Sequence, residues 1–149
     1  MIAGRLAVSQ RIGGYGFQHR RVRREEEILW LQSDGKVNTV VTLLNGNQNV
    51  QAYEEAGFRV FHEPVPPELD IESDVPRVMK TLHESVSRPG AVVLVHRDLI
   101  DDTVSGLLAA YLINSKLLDD PIKASAVIQE ILSRPLGPLA RSMMNVASR

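Results

Sequence analysis

The sequence predicts an α/β domain with a central, mostly parallel sheet flanked by helices, and three observations predict it. Residues 37–44 (VNTVVTLL) and 91–95 (AVVLV) are runs of β-branched and apolar residues without the polar alternation of half-exposed strands. Such runs mark strands covered on both faces. Stretches with helical spacing of apolar residues lie between them, and strands that alternate with helices build parallel sheets through crossover connections. Finally, residues 104–113 (VSGLLAAYLI) are apolar almost all round, as a helix inside a core must be.

Residues 2–8 read as a first strand and 12–16 (IGGYG) as a glycine-rich loop. Residues 22–32 read as a helix with Val22, Ile28, Leu29 and Leu31 as its apolar side, closed by a turn at Asp34 and Gly35. NGNQN at 45–49 is a turn cluster, and residues 50–56 form a short helix ended by Gly57. A strand at 58–62 runs into EPVPPELD, whose three prolines exclude regular structure. Ser73 or Asp74 is expected to cap a helix reaching Val86, with Pro76 in its first turn and Val75, Val78, Met79, Leu82 and Val86 as its stripe. Pro89 and Gly90 turn the chain into the strand at 91–95, the expected sheet centre. Helices at 121–132 and 138–146 close the order, and the pair Met143 and Met144 is expected in the core.

A length of 149 residues suits one domain, 1–149. A net charge of −1 supplies no field that would recruit nucleic acid or an anionic membrane, so neither is expected as a partner. The chain has no cysteine, which excludes disulfides, thiolate metal sites and cysteine nucleophiles. The first residues, MIAGRLAVSQRIGG, are broken by Arg5 and Ser9 and do not read as a signal peptide. A cytoplasmic location is expected.

The loop HRDLIDD lies between the apolar strand and the apolar helix. Ligands of open α/β sheets bind at the carboxyl ends of strands, and a helix N-terminus there favours an anion. His96, Arg97, Asp98, Asp101 and Asp102 are therefore the candidate binding residues. His96 and the three aspartates also resemble a hard-cation site. Yet Asp102 is equally explained as a helix cap and Asp98 and Asp101 as solvated loop residues, so no metal ligand and no cofactor are expected. HRDL matches the catalytic loop of protein kinases, but the chain lacks DFG and the VAIK lysine. IGGYG lacks the spacing of a dinucleotide loop. His19, Arg20, Arg21, Arg23 and Arg24 form a basic run followed by Glu25, Glu26 and Glu27, which reads as a solvated helix face; were it functional, it would meet an acidic or phosphorylated partner.

PGAVVLVH followed by GLLAAYLI resembles the strand and helix around the phosphate loop of the dual-specificity branch of the protein tyrosine phosphatases. WLQSDG before VNTVVTLL, and AGFRVFHEPVPPELD, are similar to that family's first helix and strand and to the strand entering its general-acid loop. The resemblance covers nearly the whole chain and implies a dual-specificity-phosphatase-like fold. The family's loop reads HCxxGxxR. Carried over position by position, His96 matches the signature histidine and Arg97 stands at the nucleophilic cysteine. Ile100 replaces the loop glycine, Thr103 the phosphate-clamping arginine and Val104 the hydroxyl residue after it. Asp70, or less so Glu68, falls in the general-acid region.

Without a thiolate no phosphocysteine can form, and without the arginine no bidentate clamp meets the equatorial oxygens. The resemblance therefore implies no catalytic residues and a pseudophosphatase that binds or regulates, with a protein or an anionic small molecule as partner. The alternatives are an enzyme using the loop aspartates with a metal or as acid and base, or a structural subunit of an oligomer. The sequence leaves the oligomeric state open.

Overall fold

The computed structural model describes residues 5–13, 20–46 and 49–149. Its elements run β1 (Leu6–Gln10), α1 (Arg21–Ser33), β2 (Thr39–Thr42), α2 (Val50–Glu55), β3 (Arg59–His62), α3 (Ile71–Ser87), β4 (Val93–Arg97), α4 (Asp102–Asn114), α5 (Pro121–Leu132) and α6 (Pro138–Ala147). They group into two compact units, one of residues 1–66 and 84–100, the other of residues 67–83 and 101–149.

The first unit holds a four-stranded sheet in the order β1-β4-β2-β3, parallel throughout. The α/β class and parallel sheet expected from the sequence are what the chain forms. β4 is an interior strand, with Val95 aligned to Val8 on one side and to Val41 on the other. Ile12, Ile28, Val37, Val40, Tyr53, Phe58 and Leu94 pack into one buried cluster. Each such side chain contributes about 1.5–3 kcal/mol by leaving water. Arg5 precedes β1 and donates from Nε to the Ala91 carbonyl at 3.0 Å and from Nη2 to the carbonyls of Val86 and Arg88. It thereby serves carbonyls of the last turn of α3 and of the turn that follows it.

Two expectations need correction here. β4 does not end at Val95 but carries its pairing through His96 and Arg97, because β1 extends far enough to meet both and β2 far enough to meet His96. The inward side of α1 is not Val22 and Leu29, which are 66% and 65% exposed; Ile28 is buried and Leu31 half-buried. The inward stripe is 24, 27, 28 and 31, a helical i, i+3, i+4, i+7 series that includes Arg24 and Glu27. The expected first strand and glycine-rich loop fall partly on residues 1–4 and 14–16, and the His19 of the basic run falls on 19, all outside the described residues.

α3 starts earlier than expected. The Asp70 carboxylate accepts the Glu72 N–H at 3.2 Å and the Ser73 hydroxyl at 2.9 Å, and the Asp70 N–H donates to Asp74 Oδ2 at 2.8 Å. This reciprocal capping begins the helix at Ile71 and leaves Pro76 inside it, not in its first turn. Burial opposes ionisation of Asp74, but the Arg77 guanidinium and the Asp70 N–H outweigh it and hold its carboxyl below the usual carboxylate value.

In the second unit α4 packs against α5 and α6. Every residue of α4 from Val104 to Ile113 is buried. Gly106 is the close-approach point: a Cβ there would lie 2.5 Å from the Met143 sulfur and 3.2 Å from the Ala140 Cα. Met143 and Met144 are core residues, as expected. α5 is capped by Asp120, whose carboxylate accepts the Ile122 N–H at 2.9 Å, and starts on Pro121. No helix of the described residues is long and apolar enough to cross a membrane.

Gly106→Ala should overpack the α4–α6 contact and cost about 1–3 kcal/mol in urea unfolding. Loss of less than a few tenths would show that the helices can move apart freely.

Candidate functional site

His96 and Arg97 lie in the β4 ladder, opposite Ser9 and Gln10 of β1, with His96 also opposite Thr42 of β2. Successive strand residues face opposite sides of a sheet, so the two side chains diverge. His96 is fully buried and its ring meets Tyr53 edge-on, centroids 5.6 Å apart and planes at 79°. Neither ring nitrogen has a hydrogen-bond partner. Burial, reinforced by the positive charge of Arg11, pushes its pKa down to about 3, so the imidazole is neutral. Burial likewise raises the Tyr53 phenol, against the lowering influence of Arg11, Asn49 and Arg24.

Arg97 is half-buried. Its Nη2 lies 3.5 Å from both the Val65 and Pro66 carbonyls, at the outer limit of hydrogen bonding. The Arg97 guanidinium is thus turned toward the segment after β3. Asp98 and Ile100 are half-buried and Leu99 is exposed. Ile100 lines a cleft of about 460 Å³ with Arg11, Arg23, Glu27 and Trp30.

In the second unit, α4 begins at Asp102 with Asp101 as its cap. Asp101 accepts the Val104 N–H on its carboxylate at 3.1 Å and the Ser105 hydroxyl on its carbonyl at 2.8 Å. A helix N-terminus binds anions through free N–H groups and its positive dipole end. Here the chain's own carboxylate takes that position. The capping role considered for Asp102 belongs to Asp101. Asp102 instead accepts from Arg134 Nη2 at 3.0 Å, and its carboxylate lies against Gly137, where a Cβ would come within 2.7 Å of Oδ2. Thr103 is half-buried in the first turn of α4. The Asp70 carboxylate is committed to the start of α3. Among the described residues no three His, Cys, Asp or Glu side chains assemble as a metal-ligand set.

The basic run divides. Arg21 and Arg23 pair with Glu25 and Glu27 one turn on, at 3.0 and 2.8 Å, as a solvated face does. Arg24 turns inward and donates to Asn49 Oδ1 at 2.8 Å. The sequence reading missed Arg11, Tyr53 and Arg134. The position of Arg11, directly after a strand and before a glycine-rich stretch, was the available signal for the first; for the other two only tertiary proximity gives one.

No family model matches the chain, and no curated protein matches it. Solved structures do, and they define the class: the fold is that of the dual-specificity and protein tyrosine phosphatases. Tk-PTP in its active form is 20% identical with a TM-score of 0.67, over 95% of this chain and 88% of that one. The kinase associated phosphatase with its catalytic cysteine replaced by serine is 17% identical with a TM-score of 0.69, over 92% and 81%. Human DUSP28 carrying one substitution is 18% identical with a TM-score of 0.66, over 96% and 88%. Unlike a phosphatase with a catalytic cysteine, this chain has none.

Two outcomes follow. An unfolded histidine binds protons below about pH 6.5, whereas buried His96 does not until about pH 3, so stability falls as pH drops through that window. His96 alone should account for about 2 kcal/mol between pH 6.5 and pH 5. Asp74, with its lowered pKa, also loses stability toward acid. Urea unfolding of His96→Phe, which keeps a ring beside Tyr53, should therefore show a shallower pH slope; an unchanged slope would mean that His96 is accessible to protons when folded. Separately, Asp101→Ala should cost about 1 kcal/mol in the same measurement through loss of the α4 cap.

Proposed function

We propose that this protein is a pseudophosphatase: a dual-specificity-phosphatase fold that has lost cysteine chemistry and acts by binding a protein or a small anionic ligand in the cytoplasm. The observation that carries the reading is Arg97. It stands where the sequence resemblance puts the nucleophile, and it lies in a strand paired on one side through that very residue, with its guanidinium directed at the Val65 and Pro66 carbonyls. A residue held in a ladder and directed at backbone carbonyls supports a structural role rather than that of a reagent awaiting a substrate.

The other positions support the same reading. Thr103 offers no guanidinium for an equatorial phosphoryl oxygen, and loss of one such transition-state donor costs roughly 100- to 1000-fold in rate. Ile100, being β-branched, resists the positive φ that a curled anion loop needs. Asp101 fills the α4 N-terminus, where a phosphate dianion would otherwise be received. The Asp70 carboxylate caps α3 and is not held ready as an acid.

The test is turnover of p-nitrophenyl phosphate and phosphopeptides. The natural chain should be silent, and Arg97→Cys alone should stay silent, since Ile100, Thr103 and the aspartates remain. Activity should require at least Ile100→Gly and Thr103→Arg in addition. Turnover that survives repurification and is lost in Asp98→Ala or Asp101→Ala would overturn the reading in favour of aspartate chemistry. A single Arg97→Cys variant with a rate typical of the family would mean that the pocket is intact apart from its nucleophile.

A further inference from the structure

Among the described residues, five buried side-chain polar atoms lack a hydrogen-bond partner, and all five belong to four side chains of the first unit. They are Arg11 Nε, Arg24 Nε, the Tyr53 hydroxyl and both ring nitrogens of His96. An unpaired buried polar group costs about 1–3 kcal/mol, so their concentration in one unit calls for an occupant.

The four side chains converge. The Tyr53 and His96 rings are in edge contact at 5.6 Å. Arg24 is anchored through Nη1 on Asn49, and the Asn49 carbonyl accepts the Tyr53 N–H at 3.1 Å. The Asn49 side chain also bears on the Tyr53 hydroxyl. Arg11 follows β1 directly, one residue beyond the Gln10–Arg97 pair of the strand that carries His96. Its charge bears on both His96 and Tyr53, and that of Arg24 on Tyr53.

Among the described residues the cluster holds more donors than acceptors. A guanidinium Nε–H can only donate, a phenol donates readily, and a neutral imidazole has one N–H. Glu27, the acidic side chain whose charge bears on Tyr53, already accepts from the Gly13 N–H and from Arg23. Two cations with unspent donors beside two further donors match an acceptor-rich anion.

We propose that Arg11, Arg24, Tyr53 and His96 form a binding site for a phosphate or sulfate group, built from side chains and separate from the aspartate-rich loop. The group arrives either as the free ion or as a small monoester. Arg11 also lines the 460 Å³ cleft, and an ester bound on its guanidinium would lay its body against Trp30 and Leu31 in that cleft. The site does not depend on the loss of catalysis, so it stands or falls apart from the pseudophosphatase reading.

The experiment follows thermal unfolding of the full chain while inorganic phosphate replaces chloride at constant ionic strength. A saturable rise in Tm is expected, with affinity weakened about ten-fold or more in Arg11→Gln and in Arg24→Gln. Asp98→Asn should bind as the natural chain does. In parallel, ¹⁵N spectra of the histidine rings should show His96 moving saturably with phosphate while His62 and His83 stay in place, a readout that needs no substitution. Phenyl phosphate distinguishes the sources. Binding that changes the fluorescence of Trp30, the only tryptophan, assigns the site to a monoester; binding of inorganic phosphate alone assigns it to the free ion. No saturable shift, a stationary His96, or binding indifferent to Arg11→Gln but tightened by Asp98→Asn would overturn the proposal, the last by moving the anion to the loop.

Discussion

β4 is hydrogen-bonded along both edges, and its pairing runs past the apolar stretch into His96 and Arg97. Much of the remaining structure depends on that extension. A residue held in a ladder spends its backbone N–H on a neighbouring strand, where it cannot curl inward around an anion. The pleat then sends His96 into the buried cluster with Tyr53 and turns Arg97 to the opposite face. The divergence of these adjacent side chains separates a deep, basic, acceptor-poor cluster from the carbonyls of Val65 and Pro66.

The acidic residues after β4 look from the sequence like a reserve of negative charge. In the fold two of them have local partners. Asp101 closes the first turn of α4, and Asp102 joins Arg134 while pressing on a glycine. Gly137 is needed because the carboxylate lies where a Cβ would stand, so Asp102, Arg134 and Gly137 form one arrangement that ties the start of α4 to the turn entering α6. Polar groups with such partners are costly to redirect toward a ligand.

The class of fold was legible because VNTVVTLL, AVVLV and the all-apolar stretch behind HRDLIDD each declare their burial locally. The helix at 121–132 was legible to the residue, since Asp120 and Pro121 are start signals with a local mechanism. The end of β4 was not: histidine and arginine read as loop by polarity, and only partner strands reveal that they pair. The inward face of α1 was hidden for a related reason, because Arg24 and Glu27 occupy inward positions that pattern reading reserves for apolar residues. From the sequence α3 starts at Ser73 or Asp74, but Asp70 can also cap, and the reciprocal bonds between Asp70 and Asp74 decide it. The cluster of Arg11, Arg24, Tyr53 and His96 draws on residues remote in sequence, and no local pattern encodes their meeting.

Arg5 gives the sheet a property of timing. Its bonds to Val86, Arg88 and Ala91 close segments of 81 to 86 residues, and β1 pairs with β4 across a similar span. Closing so long a loop adds only slowly to the entropic cost, since each doubling of length costs about 0.6 kcal/mol. Contacts this remote are nevertheless slow to form. During synthesis the segment that becomes β1 leaves the ribosome long before its partner strand exists. It must wait as an unpaired, largely apolar stretch until β4 has been made, and over that interval this nascent chain is most exposed to mispairing and most in need of a chaperone.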